Sequence, residues 1–186
     1  MTWRHILLAA SLVLASTAVA ADQASIRDFA GDWRGVEVTK NDQAIAATPQ
    51  DLDLRLSPED DGFRLSWIRF ARAAGGGLER EKAEASFAPT DRPGVFAFRT
   101  GPTSLLGRLF GDPATANPLD GKTLLWARLD GATLTVYSLS IDDHGRFDLN
   151  RYARTLADHQ ISLQYTRRSE NNVILTLEGR LEKAGG

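Results

Sequence analysis

The feature that most constrains this chain is repetition of short runs in which apolar and polar residues alternate, each closed by turn-forming residues. Leu52, Leu54 and Leu56 share one parity, with Asp53 and Arg55 on the other, and Pro58, Asp60, Asp61 and Gly62 follow. A period of two puts the leucines on one face of an extended strand, and Pro, Asp and Gly then turn it. Comparable runs cover 32–39, 51–57, 63–72, 78–87, 95–100, 123–129, 133–141, 146–153, 161–168 and 173–183. Within 63–72, Phe63, Leu65 and Trp67 share a face, while Ile68 and Phe70 break the alternation as if both faces were covered. The run 78–87 is the weakest, since Ala83, Ala85 and Phe87 alone point inward and its first half also fits a helical turn or two. Asp130-Gly131 predicts a two-residue type I′ hairpin. Strands in simple succession with short links form an up-and-down antiparallel sheet, and closure removes its edges. The expected fold is therefore an all-β antiparallel barrel of about 8–10 strands.

One connection is too long for a hairpin. From 101 to 122 glycine and proline dominate, and segments of that length are usually functional or disordered. Inside it Leu105, Leu106, Leu109 and Phe110 could ride a short helical turn capped by Thr103 or Ser104. They would be a plug under the sheet or a lid over a cavity mouth, and the sequence leaves both open.

The chain opens with Arg4 and His5, an apolar run from Ile6 to Leu14, and Ala18-Val19-Ala20, the pattern of a cleaved secretory leader over 1–20. The apolar run is shorter than the ~20 residues that span a bilayer, so no transmembrane segment is expected after cleavage. The remainder, 21–186, reads as one domain. The full chain carries 22 basic and 24 acidic residues, and loss of Arg4 with the leader leaves a net charge of −3, which gives no field for nucleic acid. With no cysteine, such an exported domain relies on its core, which favours a bacterial periplasmic or secreted setting without disulfides. Thiolate catalysis and sulfur ligation of metals are excluded as well.

Other chemistry finds little support. Beyond the leader the histidines are His144, inside an Asp-Asp-His-Gly turn, and His159 beside Asp158; three convergent ligands are not in view. The acidic turn lacks the glycine and glutamate positions of a calcium loop. No G-x-S-x-G, H-E-x-x-H or S-x-x-K element occurs, so a non-catalytic protein without cofactor is expected. Aromatic residues are the better lead. Trp67, Phe98, Trp126 and Tyr137 sit mid-strand, either as core or as cavity wall. The parity of Leu125, Ala127, Leu134 and Val136 places Trp126 and Tyr137 on the outer face, as a possible contact patch. On the eighth run Phe147, Leu149 and Arg151 share a parity, and Tyr165 faces inward on the ninth. An inward Arg151 near Tyr165 would hold a carboxylate by paired hydrogen bonds, unless Arg151 reaches water at the rim.

Gly31-Asp32-Trp33-Arg34-Gly35, at the start of the first run, resembles the G-x-W signature of calycin-type barrels: lipocalins, fatty-acid-binding proteins and nitrobindin-like barrels. The resemblance implies that Gly31 and Trp33 close the barrel, with Arg180 from the last strand near the Trp33 ring. A hollow barrel would take a small apolar, amphipathic or lipid-like ligand, and the mid-strand aromatics Trp67 and Phe98 with the inward pair Arg151 and Tyr165 are the candidate ligand-binding residues. The last run has no histidine, so the haem of nitrobindin-like barrels is not carried over. The barrel is expected to be monomeric or weakly dimeric; the alternative is a packed barrel acting as an envelope interaction or inhibitor module, and an unrecognised enzyme is the third reading.

Overall fold

A computed structural model describes residues 24–40, 50–72, 78–99 and 117–185. The leader, the lid candidates Leu105, Leu106, Leu109 and Phe110, and most of the long connection lie outside the described residues. Ten strands follow a 3-10 turn at Ile26–Phe29: β1 (Gly31–Lys40), β2 (Gln50–Glu59), β3 (Gly62–Arg72), β4 (Leu78–Pro89), β5 (Val95–Arg99), β6 (Leu124–Asp130), β7 (Thr133–Ile141), β8 (Phe147–Ala157), β9 (Gln160–Ser169) and β10 (Asn172–Lys183). Each pairs antiparallel with its sequence neighbours, and β1 pairs with β10, so the sheet is a closed up-and-down barrel. The weak run is a strand in full, because β4 is bonded on one side to β3 from Phe63 to Arg72 and on the other to β5.

Hairpin geometry corrects one turn reading. The β6–β7 loop is Gly131-Ala132, one residue later than Asp130-Gly131, with positive φ at Gly131 (55°) and not at Ala132. That is the type II′ pattern, with glycine at the first central position, rather than type I′. The I′ pattern appears instead between β8 and β9, where Asp158 (φ 47°) and His159 (φ 62°) are both left-handed. His159 is therefore an exposed turn residue.

One end of the barrel is packed solid. Phe29 from the 3-10 turn inserts there with Trp33, Phe63, Phe87, Ile161 and Leu181, all of them fully buried. Phe63 stacks on Phe87 at 5.0 Å and meets the edge of Phe96 at 5.2 Å. Trp33 donates its indole N–H to the Phe29 carbonyl at 2.9 Å, tying the inserted turn to β1. Around it, Asp32 pairs with Arg55, Nη2 to Oδ2 at 2.9 Å, and Arg34 with Asp53 at 3.4 Å, so the charges of the pentapeptide face outward. The cation over the Trp33 ring is Lys183, 5.5 Å from its centroid, and not Arg180. Lys183 pairs directly with Trp33, whereas Arg180 pairs with Val36 and sits at outward parity on the exposed wall.

Gly35 closes the ring of strands. A Cβ there would stand 1.9 Å from the Arg180 carbonyl oxygen and 2.9 Å from Leu181 Cα, both rigid backbone of β10. Gly35→Ala is expected to force β1 away from β10 and cost about 1–3 kcal/mol or more. A thermal melt checks this, and an unchanged midpoint would refute it.

Candidate functional site

At the end opposite Trp33 the described residues line a cavity of about 340 Å³. Its apolar wall is Leu65 and Trp67 of β3, Leu125 of β6 and Val136 of β7. Ser138 of β7 and Asn150, Tyr152 and Arg154 of β8 make the polar wall, and Asp148 and Arg167 stand toward the β8 start and β9 end. These positions follow from register. Val136 lies opposite Tyr152, and Tyr152 opposite Tyr165, so even-numbered residues of β8 face inward.

The polar wall is braced by the aromatic pair. Tyr152 stacks on Tyr165 with centroids 4.5 Å apart, and the Tyr165 hydroxyl donates to Asn150 Oδ1 at 2.7 Å. That bond occupies the amide oxygen of Asn150 and leaves its N–H donors as the side available to a ligand. Arg167 Nη2 donates to Asp148 Oδ2 at 2.7 Å and holds that carboxyl below its ordinary range, with a lesser contribution from Ser169. Asp148 Oδ1, also buried, has no hydrogen-bond partner among the described residues.

Arg154 is the unusual group. It is 5 % exposed, and among the described residues no carboxylate pairs with it. Its Nη1 donates to the Tyr152 carbonyl at a long 3.4 Å, its Nε has no partner, and its guanidinium carbon lies 5.9 Å from the Tyr152 ring centroid. Burial pushes its pKa down to about 10, with Tyr152 opposing the shift. A guanidinium keeps its proton at that value, so the cavity holds a charge that nothing described neutralises.

The residues named from sequence distribute unevenly. Trp67 lines the cavity, and Tyr165 is buried on the inner face behind it. Phe98 is in the core, edge-on to Phe87 at 6.1 Å, and outside the cavity lining. Arg151 is on the outer wall, donating to Gln164 Oε1 at 3.0 Å and flanking a surface depression with Gln164, Glu178 and Arg180. The expectation of an inward Arg151 fails because Phe147 and Leu149, which set that parity, are themselves half-buried outer residues. Trp126 and Tyr137 are stacked outside at 4.8 Å, as their parity requires. His144 is exposed in its turn, its backbone N–H bonded to Asp142 Oδ1.

Arg154 lies just past the alternating run 146–153, whereas β8 continues to Ala157. The available signal was the even series Tyr152, Arg154, Leu156, three side chains able to face one interior.

No family model matches the chain, and no curated protein matches it. Solved structures do. A DUF3598-family protein of unknown function from Nostoc punctiforme superposes with a TM-score of 0.56 at 15% identity, over 92% of this chain and 54% of its own. The chain thus spans about half the length of that neighbour. The S-type phycobiliprotein lyase CPES from Guillardia theta gives 0.50 at 10% identity, over 87% and 91%. Rv2717c from M. tuberculosis gives 0.47 at 12% identity, over 84% and 92%. The chain has a calycin-like barrel fold. Identities this low carry the fold alone.

Proposed function

We propose that this protein is an exported, non-catalytic binder of a small apolar or amphipathic molecule, held inside the barrel in the bacterial envelope. The observation that supports the reading is the 340 Å³ cavity with an apolar wall of Leu65, Trp67, Leu125 and Val136 facing a few placed polar groups. That combination is typical of small-molecule sites. At ~30 Å³ for a water-sized group, the space suits about eleven non-hydrogen atoms. The same fold in a phycobiliprotein lyase supports an interior that accommodates function, without carrying that protein's activity over. Export rests on the leader pattern in 1–20.

The neutral fluorophore 1-naphthylamine tests the cavity. Its emission is expected to rise and shift to the blue with wild-type protein, and to do neither with Ser138→Trp, whose indole would fill the space. Equal signals from the two proteins would place the probe elsewhere and defeat the interior reading. The stacked outer pair Trp126 and Tyr137 favours the rival reading of a protein-contact module, and a wild-type protein that takes up no probe would leave that reading in front.

A further inference from the structure

We propose that the protein pairs with a second copy of itself through the outer face of β6, β7 and β8, about a two-fold axis that runs along those strands. The inference concerns the outside of the barrel and stands whatever the interior takes.

The two halves of the outer wall differ in kind. On β1 to β4 outward charges pair with one another, Arg34 with Asp53, Arg55 with Asp32, and Arg64 with both Glu59 and Glu84. On β6 to β8 the register sets apolar side chains side by side instead. Leu124, Leu139 and Leu149 form one cross-strand row. Trp126 and Tyr137 stack in the next row toward the floor, and Ile141 stands opposite Phe147 toward the mouth. All of them have the outward parity, since Leu125, Ala127 and Val136 hold the inward one, and all are only half-buried. A contiguous apolar patch on an outer wall marks an interaction site.

The occupant follows from how the face matches itself. A two-fold axis along the strands lays β6 against β9 of the second copy and β7 against its β8, with each row meeting the same row. Leu139 then meets Leu149 of the second copy, and Ile141 meets Phe147. Tyr137 meets Arg151, a cation over an aromatic ring, and Arg151 is steadied by its bond to Gln164. The rims match in charge as well. Lys122, two residues ahead of Leu124 at the same parity, flanks Ile141 on the β6 side. Glu170, whose backbone N–H bonds the Phe147 carbonyl, flanks Phe147 on the β9 side. The axis places Lys122 of each copy opposite Glu170 of the other. An axis across the strands would lay each strand against itself, and the two charges would never meet. Such rim pairs fix register more than they add affinity. With strands ~4.8 Å apart and outward residues ~6.8 Å apart, the face measures roughly 20 by 20 Å. That is the low end for a specific interface, so a Kd on the order of 10–100 μM is expected.

Sedimentation velocity of the purified protein from about 1 to 500 μM tests this. Wild type is expected to pass from monomer to dimer and no further, because the two-fold closes. Leu139→Glu is expected to stay monomeric throughout. Lys122→Glu and Glu170→Lys are each expected to weaken the dimer about 2- to 30-fold, the range for two exposed ion pairs lost together. An equimolar mixture of those two variants is expected to recover wild-type association, since opposite charges then face each other at both rims. Both positions lie outside the strands, so this arm decides the matter even if Leu139→Glu folds poorly. A wild-type protein still monomeric at the top of the series would overturn the dimer, and its flotation with phosphatidylcholine vesicles would give the face to a lipid surface. A dimer that Leu139→Glu leaves intact would overturn the assignment of the face. A mixture no tighter than either charge variant alone, or growth beyond a dimer, would overturn the two-fold.

Discussion

Arg154→Met is expected to raise the thermal midpoint of the ligand-free protein by about 6–12 °C. The folded protein holds the Arg154 guanidinium in a nearly water-free site, with a pKa pushed well below the usual guanidinium value, to about 10, by burial. The charged form is thus less favourable in the folded chain than in the unfolded one. For a base whose folded pKa is depressed, the penalty is present in full below the folded value and fades as pH rises from about 10 toward the ordinary guanidinium value. At neutral pH a difference of that size corresponds to about 3 kcal/mol at 1.36 kcal/mol per pKa unit. A chain of this length moves by about 2–4 °C per kcal/mol. Methionine keeps the unbranched stem and removes the charge, so it recovers most of the penalty and gives up a single long bond to the Tyr152 carbonyl. Thermal unfolding followed by circular dichroism at neutral pH measures it. A midpoint that stays or falls would mean that Arg154 is compensated and that the cavity is not electrostatically unbalanced. Stability set aside at a binding group is the ordinary cost of a preorganised site.

How the sequence related to the structure differs along β8. Where the barrel interior is packed, alternation reads correctly: Leu54, Leu56, Phe63 and Leu65 all point inward and are buried. Trp126 and Tyr137 were legible for the same reason, because Leu125, Ala127, Leu134 and Val136 fix the opposite face. Near the start of β8 the rule inverts. The cavity places Asp148 and Asn150 inside, while Phe147 and Leu149 are on the outer wall, half-buried. A parity count that follows apolar residues inward must then choose the wrong face, and it selects Arg151 over Arg154. Local pattern and fold disagree where the site is, as expected when polar side chains are placed inside for recognition rather than stability. Arg180 was misplaced for a different reason. Register, which composition does not reveal, puts Lys183 opposite Trp33 and Arg180 opposite Val36.

Trp33→Ala is expected to have the largest destabilising effect, costing about 4 kcal/mol or more. Trp33 is 1 % exposed and sits where Phe29, Leu54, Leu56 and Leu181 meet. Truncating a buried tryptophan costs about 3–5 kcal/mol, because a closed barrel cannot collapse onto the vacated space. The change also deprives the buried Phe29 carbonyl of its 2.9 Å donor, which adds about 1–3 kcal/mol and releases the 3-10 turn that seals the floor. Domains are stable by about 5–15 kcal/mol, so the variant would retain a small margin or none. Trp33→Phe separates the two contributions. It keeps an aromatic ring in the core and loses the indole N–H, and its smaller loss measures chiefly the bond to Phe29. Denaturant unfolding of the three proteins checks the order, with wild type most stable and Trp33→Ala least. Equal midpoints for Trp33→Phe and wild type would show that the Phe29 bond contributes nothing to closing the floor. The cavity end would respond differently. Because the described lining of the cavity comes from β3 and β6 to β9 and Trp33 belongs to β1, any Trp33→Phe protein that remains folded is expected to take up 1-naphthylamine as wild type does.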